Sequence, residues 1–178
     1  MALPRVPANP SPFTVVEYFP NPDRSGFYDP RHHAVSLAYV VPVEGDVFSP
    51  EVLTVVKKLT DAAWQTPYSL RVDSITNFQH TEAQDDDLLV EDLLLDVADL
   101  NEEKISKIKN VVLNEPALVK RLVSEDGRMT AVNITVQLPE KNQNQEVADV
   151  YSHVAALTEK LAAEHPTVQF KLAGVIAL

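Results

Sequence analysis

Apolar residues along this chain recur with two periods, and the switch between them marks out the elements. Ala34–Val43 (AVSLAYVVPV) is almost wholly apolar or small, which predicts a strand buried on both faces. Ser49-Pro50-Glu51 then opens a helix: Ser49 caps, Pro50 suits the first turn, and Glu51 favours the positive end of the dipole. Val52, Val55, Val56, Leu59 and Ala63 follow at helical spacing on one face. Pro67 keeps that helix from running on, and Leu70 and Val72, alternating with Arg71 and Asp73, predict a half-buried strand over about Leu70–Thr76.

A second helix is predicted from Asn101, with Leu100 and Ile105 placed as a hydrophobic staple around the Asn cap. Ile105, Ile108 and Val112 form its apolar face, and Pro116 breaks the pattern before Ala117–Leu122. Ser124–Arg128 reads as a turn in which Gly127 takes positive φ. Val132, Ile134, Val136 and Leu138 alternate with Asn133, Thr135 and Gln137, a strand with one wet or weakly packed face. A long helix over Gln145–Glu164 carries the stripe Val147, Val150, Tyr151, Val154, Leu157 and Leu161. Pro166 stops it, and Val168, Phe170 and Leu172 alternate as a closing strand.

With an N-terminal arm and an acidic insert set aside, the order is strand, helix, strand, repeated. Two such units closing on one another predict an α+β, ferredoxin-like fold: a four-stranded antiparallel sheet with helices on one face. The domain runs over 34–178, with an acidic, partly helical insert at 77–123 and an irregular proline-rich arm at 1–33. Nine of the thirteen prolines lie in residues 1–50. In the insert, ten acidic residues and no Lys or Arg occur from Glu82 to Glu103, threaded by Leu88, Leu89, Val90, Leu93, Leu94 and Leu95. That predicts a packed extended or short helical piece with a solvated acidic face.

Charge and composition then narrow the chemistry. A net charge of −11 repels phosphate backbones and anionic membranes, and no basic patch with interleaved aromatics offsets it, so nucleic acid is not an expected partner. No cysteine is present, which removes disulfides, thiolate chemistry and Cys zinc sites. No apolar run of ~18 residues or signal peptide is evident, so direct membrane insertion is not expected. At 178 residues the chain suits one domain with a real core.

Two resemblances add to this. The runs DVFSPEVL (Asp46–Leu53), LTDAAWQTPYSLRVDSITNFQHT, DDLLVEDLL (Asp86–Leu94), Asn114–Pro139 and Glu164–Leu178 look like the first large extracytoplasmic loop of predicted exporters of the RND superfamily. The resemblance implies part of a porter domain, periplasmic or otherwise extracytoplasmic, in a protein that moves lipids or other hydrophobic compounds outward. Its partners would be other porter domains and the membrane helices. Residues 1–45 resemble instead the segment just after the Nudix box in a group of bacterial Nudix-like proteins, although the metal-binding box itself is absent. The two resemblances meet near Gly45–Val47, which suggests a chimera or artificial fusion. A chain assembled to test folding, without a biological function, is the alternative.

No catalytic, cofactor or metal residue is assigned from the sequence. Arg31-His32-His33 with Asp29 invites a metal reading, and His32, His33 and the acidic run with magnesium would make a cryptic hydrolase of nucleoside diphosphate compounds. Adjacent strand histidines point to opposite faces, however, and rarely share an ion. Asp85-Asp86-Asp87 lacks the alternating ligands and Gly of a calcium loop. The four glycines (26, 45, 127 and 174) frame no nucleophilic Ser. Trp64, Tyr68 and Phe78 read as core or seam residues, and Phe78, Gln79 and His80 as a loop that meets a partner. The expected function is therefore that of a non-catalytic porter-like domain, with weak self-association through apolar surface left by missing neighbours.

Overall fold

The computed structural model describes residues 33–84 and 87–174. Among the described residues ten elements follow one another: β1 (His33–Pro42), α1 (Pro50–Ala63), β2 (Ser69–Asp73), β3 (Gln79–Gln84), β4 (Asp87–Asp92), a short 3-10 turn (Val97–Asp99), α2 (Glu102–Asn114), β5 (Thr130–Gln137), α3 (Gln143–Glu164) and β6 (Val168–Gly174). The main sheet has the order β2-β5-β1-β6 with every neighbouring pair antiparallel. With α1 joining β1 to β2 and α3 joining β5 to β6, this is the ferredoxin-like arrangement the pattern predicts. The strand expected at Ala34–Val43 is β1 and lies in the middle of the ladder. The expected arm at 1–33 lies outside the described residues, apart from His33, which opens β1. Among the described residues, no helix is long and apolar enough to cross a membrane.

The core follows from side-chain alternation. Ala38 faces Val132 on one side and Leu172 on the other, and Ser36 faces Ile134, so these residues share the helix-covered face. Val40, Val132, Ile134 and Val136 are fully buried there. From α1, Val52, Leu53, Val55, Val56, Leu59 and Ala63 are buried, and from α3, Val150, Val154 and Leu161. Local chemistry sets the helix starts. The Ser49 hydroxyl accepts the Val52 N–H at 3.2 Å, Asn101 Oδ1 accepts the Lys104 N–H at 2.8 Å, and Asn142 caps α3.

Three expectations need correction. The wet face foreseen for β5 is dry in part: Ala131 is fully buried and Asn133 is 7 % exposed, alongside Leu37 and Tyr39 of β1 on that same side. Leu70 does not alternate inward with Val72. The β2–β5 register shifts between Ser69 and Arg71, and this bulge turns Leu70 out to solvent while Val72 stays in the core. Tyr151 of the expected α3 stripe is also exposed, whereas Thr158 and Glu146 are buried in its place.

Glu146 is buried for a specific reason. Its carboxylate accepts the backbone N–H groups of Glu140 (3.0 Å), Lys141 (2.9 Å) and Asn142 (3.0 Å), closing the loop that leads into α3. Within the insert, the acidic run forms the β3–β4 hairpin, with Thr81 opposite Val90 and Ala83 opposite Leu88. Its base is fixed: the Leu93 and Leu94 N–H groups donate to Phe78 and Thr76 carbonyls, and both leucines are in the core. The second part of the insert is tied back by α2, whose Lys109 reaches Asp46 Oδ2 at 2.6 Å and lies 5.6 Å from the Phe48 ring centroid.

Candidate functional site

Where the insert meets the sheet, it leaves a groove of about 660 Å³. One wall is the last turns of α1 (Lys57, Asp61 and Trp64); another is the end of β2 (Arg71 and Asp73); the third comes from the hairpin base (Phe78, Gln79 and Asp92) and from Arg121 in the turn before β5. Lys120, with φ of 66°, bends that turn back, and the Ala131 N–H and Thr130 hydroxyl hold it by bonds of 2.8 and 2.7 Å to the Leu122 carbonyl.

The floor is a closed polar knot. Thr60 Oγ1 lies 2.8 Å from Ser74 Oγ, which lies 2.8 Å from Thr76 Oγ1, which returns to Thr60 at 3.3 Å. Asn77 locks the bend: its Oδ1 accepts the Ser74 N–H and its Nδ2 donates to the Val72 carbonyl, both at 2.8 Å. Each of the three hydroxyl residues is 1 % exposed. These hydroxyls join α1 to the β2–β3 connection and commit their bonding capacity to one another and to nearby backbone, Thr60 Oγ1 also reaching the Val56 carbonyl at 2.7 Å.

Charge around the rim is mixed. Lys57 Nζ contacts both carboxylate oxygens of Asp61 at 2.5 and 2.7 Å, and Arg71 Nε donates to Asp73 Oδ1 at 2.7 Å. Arg121 and Asp92 make no ion pair with a described residue.

Of the aromatic and polar residues singled out from the sequence, Trp64, Phe78 and Gln79 converge on this groove. Tyr68 does not. It sits in the left-handed region (φ 63°) beside α3, with its hydroxyl 3.5 Å from Asp149 Oδ2. Burial raises its pKa, helped by the charges of Asp149 and Glu146 and by the Asp149 hydrogen bond. His80 lines a separate small depression with Leu89 and Glu91. Asp29, Arg31 and His32 lie outside the described residues, as do Asp85 and Asp86; Asp87 begins β4. Among the described residues, no group of three His, Asp or Glu side chains is placed to hold a metal ion.

Arg121, Asp92, Lys57 and Asp61 belong to the groove without having been marked by the sequence. Lys57 and Asp61 are an ordinary i, i+4 helix pair, and Arg121 is one basic residue among several; only the fold brings them together.

The fold and groove define a ferredoxin-like α+β domain with a hairpin insert whose base borders a groove beside its first helix. The chain belongs to the family described as domain of unknown function DUF4916, whose model matches residues 1–95. That match runs across Gly45–Val47, so one family spans the point where the two resemblances meet, which counts against a fusion there. No curated protein matches the chain.

Proposed function

We propose that the chain is a non-catalytic, porter-like docking domain that acts outside the cytoplasm by seating its β3–β4 hairpin against a neighbouring protein lobe. The observation that carries the reading is the outer half of that hairpin. Leu88 is 74 % exposed and Val90 is 54 % exposed, while Leu93 and Leu94, a few residues on, are buried. β4 therefore carries an apolar ridge in water, and the two residues just past its end anchor the hairpin in the core. Leu88 and Val90 share one face, as their partners Ala83 and Thr81 show.

Such a ridge on a two-stranded ribbon calls for a cover, because an isolated ribbon is marginal and its edges are open to another strand. Glu91 beside the ridge, in an acidic run without Lys or Arg, chooses the cover: an extended or flat surface that alternates apolar residues with Lys or Arg. A second copy of this hairpin would bring acid against acid. The resemblance of Asp46–Leu178 to the exporter loop supports another porter lobe as the neighbour, with this chain supplying architecture to the outward movement of hydrophobic compounds. The groove supports a non-catalytic role too, since Ser74 and Thr60 hold their hydroxyls buried in a hydrogen-bonded knot.

The test is fluorescence anisotropy with a labelled synthetic peptide alternating lysine and valine. Binding should weaken steadily with added salt. Leu88→Asp combined with Val90→Asp should lower affinity at least about tenfold, the equivalent of about 1.4 kcal/mol. A double variant that binds as tightly as the parent, or equal binding of a glutamate–valine peptide, removes the hairpin from this role.

A further inference from the structure

The groove between α1, β2 and the hairpin base has a pattern of charge that the docking role does not use. Two of its cations are already neutralised on the walls, Lys57 by Asp61 and Arg71 by Asp73. What is left is one guanidinium, Arg121, and one carboxylate, Asp92, neither of them paired with a described residue. Trp64 lines the same groove from the end of α1, 47 % exposed, and Phe78 is half-buried. A large indole left half in water at the rim of a polar cleft offers a flat face for stacking. The volume of about 660 Å³ is within the usual range for small-ligand sites.

We infer that this groove binds a small aromatic zwitterion, an aromatic amino acid or a short peptide with free ends. Trp64 takes the ring, Arg121 the carboxylate and Asp92 the ammonium group. The alternatives fit less well. A simple anion such as phosphate gains from Arg121 but meets Asp92, Asp61 and Asp73 in the same cleft. A lipid tail would leave the charged walls desolvated without partners. A ligand with both charges and a ring satisfies each unpaired group at once.

Trp64 is the only tryptophan in the chain, so its emission reports on this groove alone. The experiment titrates glycyl-phenylalanine into the full chain and follows that emission. A saturable change is expected, with the carboxy-amidated and the amino-acetylated dipeptides each binding at least about tenfold more weakly, as loss of one charge-assisted hydrogen bond implies. Arg121→Gln should make the free and amidated forms alike, and Asp92→Asn should do the same for the free and acetylated forms. Both variants should melt as the parent does, because neither side chain belongs to the core. Equal binding of all three dipeptides, a change in emission that never saturates, or displacement by inorganic phosphate at the same concentration would each overturn the assignment.

Discussion

Gly127 shows how one missing methyl group can hold two elements together. At φ +66° it occupies backbone space that costs an L-residue about 1–2 kcal/mol, and a Cβ there would lie 2.9 Å from Phe48 Cε2. Phe48 is buried and cannot swing aside. Gly45, at φ +78°, carries the same backbone demand, but a methyl carbon there would meet nothing within 4 Å. Gly127→Ala is therefore expected to lower stability by clearly more than Gly45→Ala, measured as midpoints of urea unfolding. Glu146 gives a second outcome at this scale. Burial opposes its charge, but the N–H groups of Asn142, Lys141 and Glu140, with the Lys141 charge, outweigh that and hold its carboxyl below the ordinary range. A lowered folded value means that the ionised group stabilises the fold above the ordinary glutamate pKa and stops doing so as pH falls through the folded value. The melting temperature of Glu146→Gln should thus fall below the parent's at neutral pH, and the gap should close on acidification.

Among the elements, the helices and the central strands were legible because their signals are local. Ser49 and Asn101 are caps whose chemistry needs only the next turn, and the alternation of Val132, Ile134 and Val136 is complete within β5. The hairpin was not legible as such. β3 reads Gln-His-Thr-Glu-Ala-Gln, with no apolar alternation of its own, and becomes a strand only by pairing with β4. Leu70 misled for a similar reason: its outward turn comes from a bulge set by the partner strand. The groove was hidden further still, since Trp64, Asp92 and Arg121 come from three separate parts of the chain and none has a motif around it. A ribbon that depends on pairing should also open first. Hydrogen exchange is expected to be far faster at amides of β3 and β4 than at those of β1 and β5, which lie inside the main ladder. Equal protection in the two sheets would show the hairpin to be part of the same cooperative unit.

For the molecule as a whole, stability rests on the seam between the sheet and the pair α1 and α3. Ile134 sits in that seam, fully buried on β5 between Ser36 of β1 and Val72 of β2. Ile134→Ala should cost about 2–5 kcal/mol, read from the urea midpoint at unchanged slope. The net charge of −11 acts at the same scale, as a long-range repulsion between copies of the chain. Strand order has a further consequence. β1 hydrogen-bonds on one side to β5 and on the other to β6, so it is the keel to which both flanks of the sheet are fastened. A truncation beginning at Asp46 would leave β6 with no neighbour and β5 with one bare edge. Such a remnant should regain its order when a separate peptide spanning residues 33–45 is supplied, the missing plank sliding back between the two halves it joins.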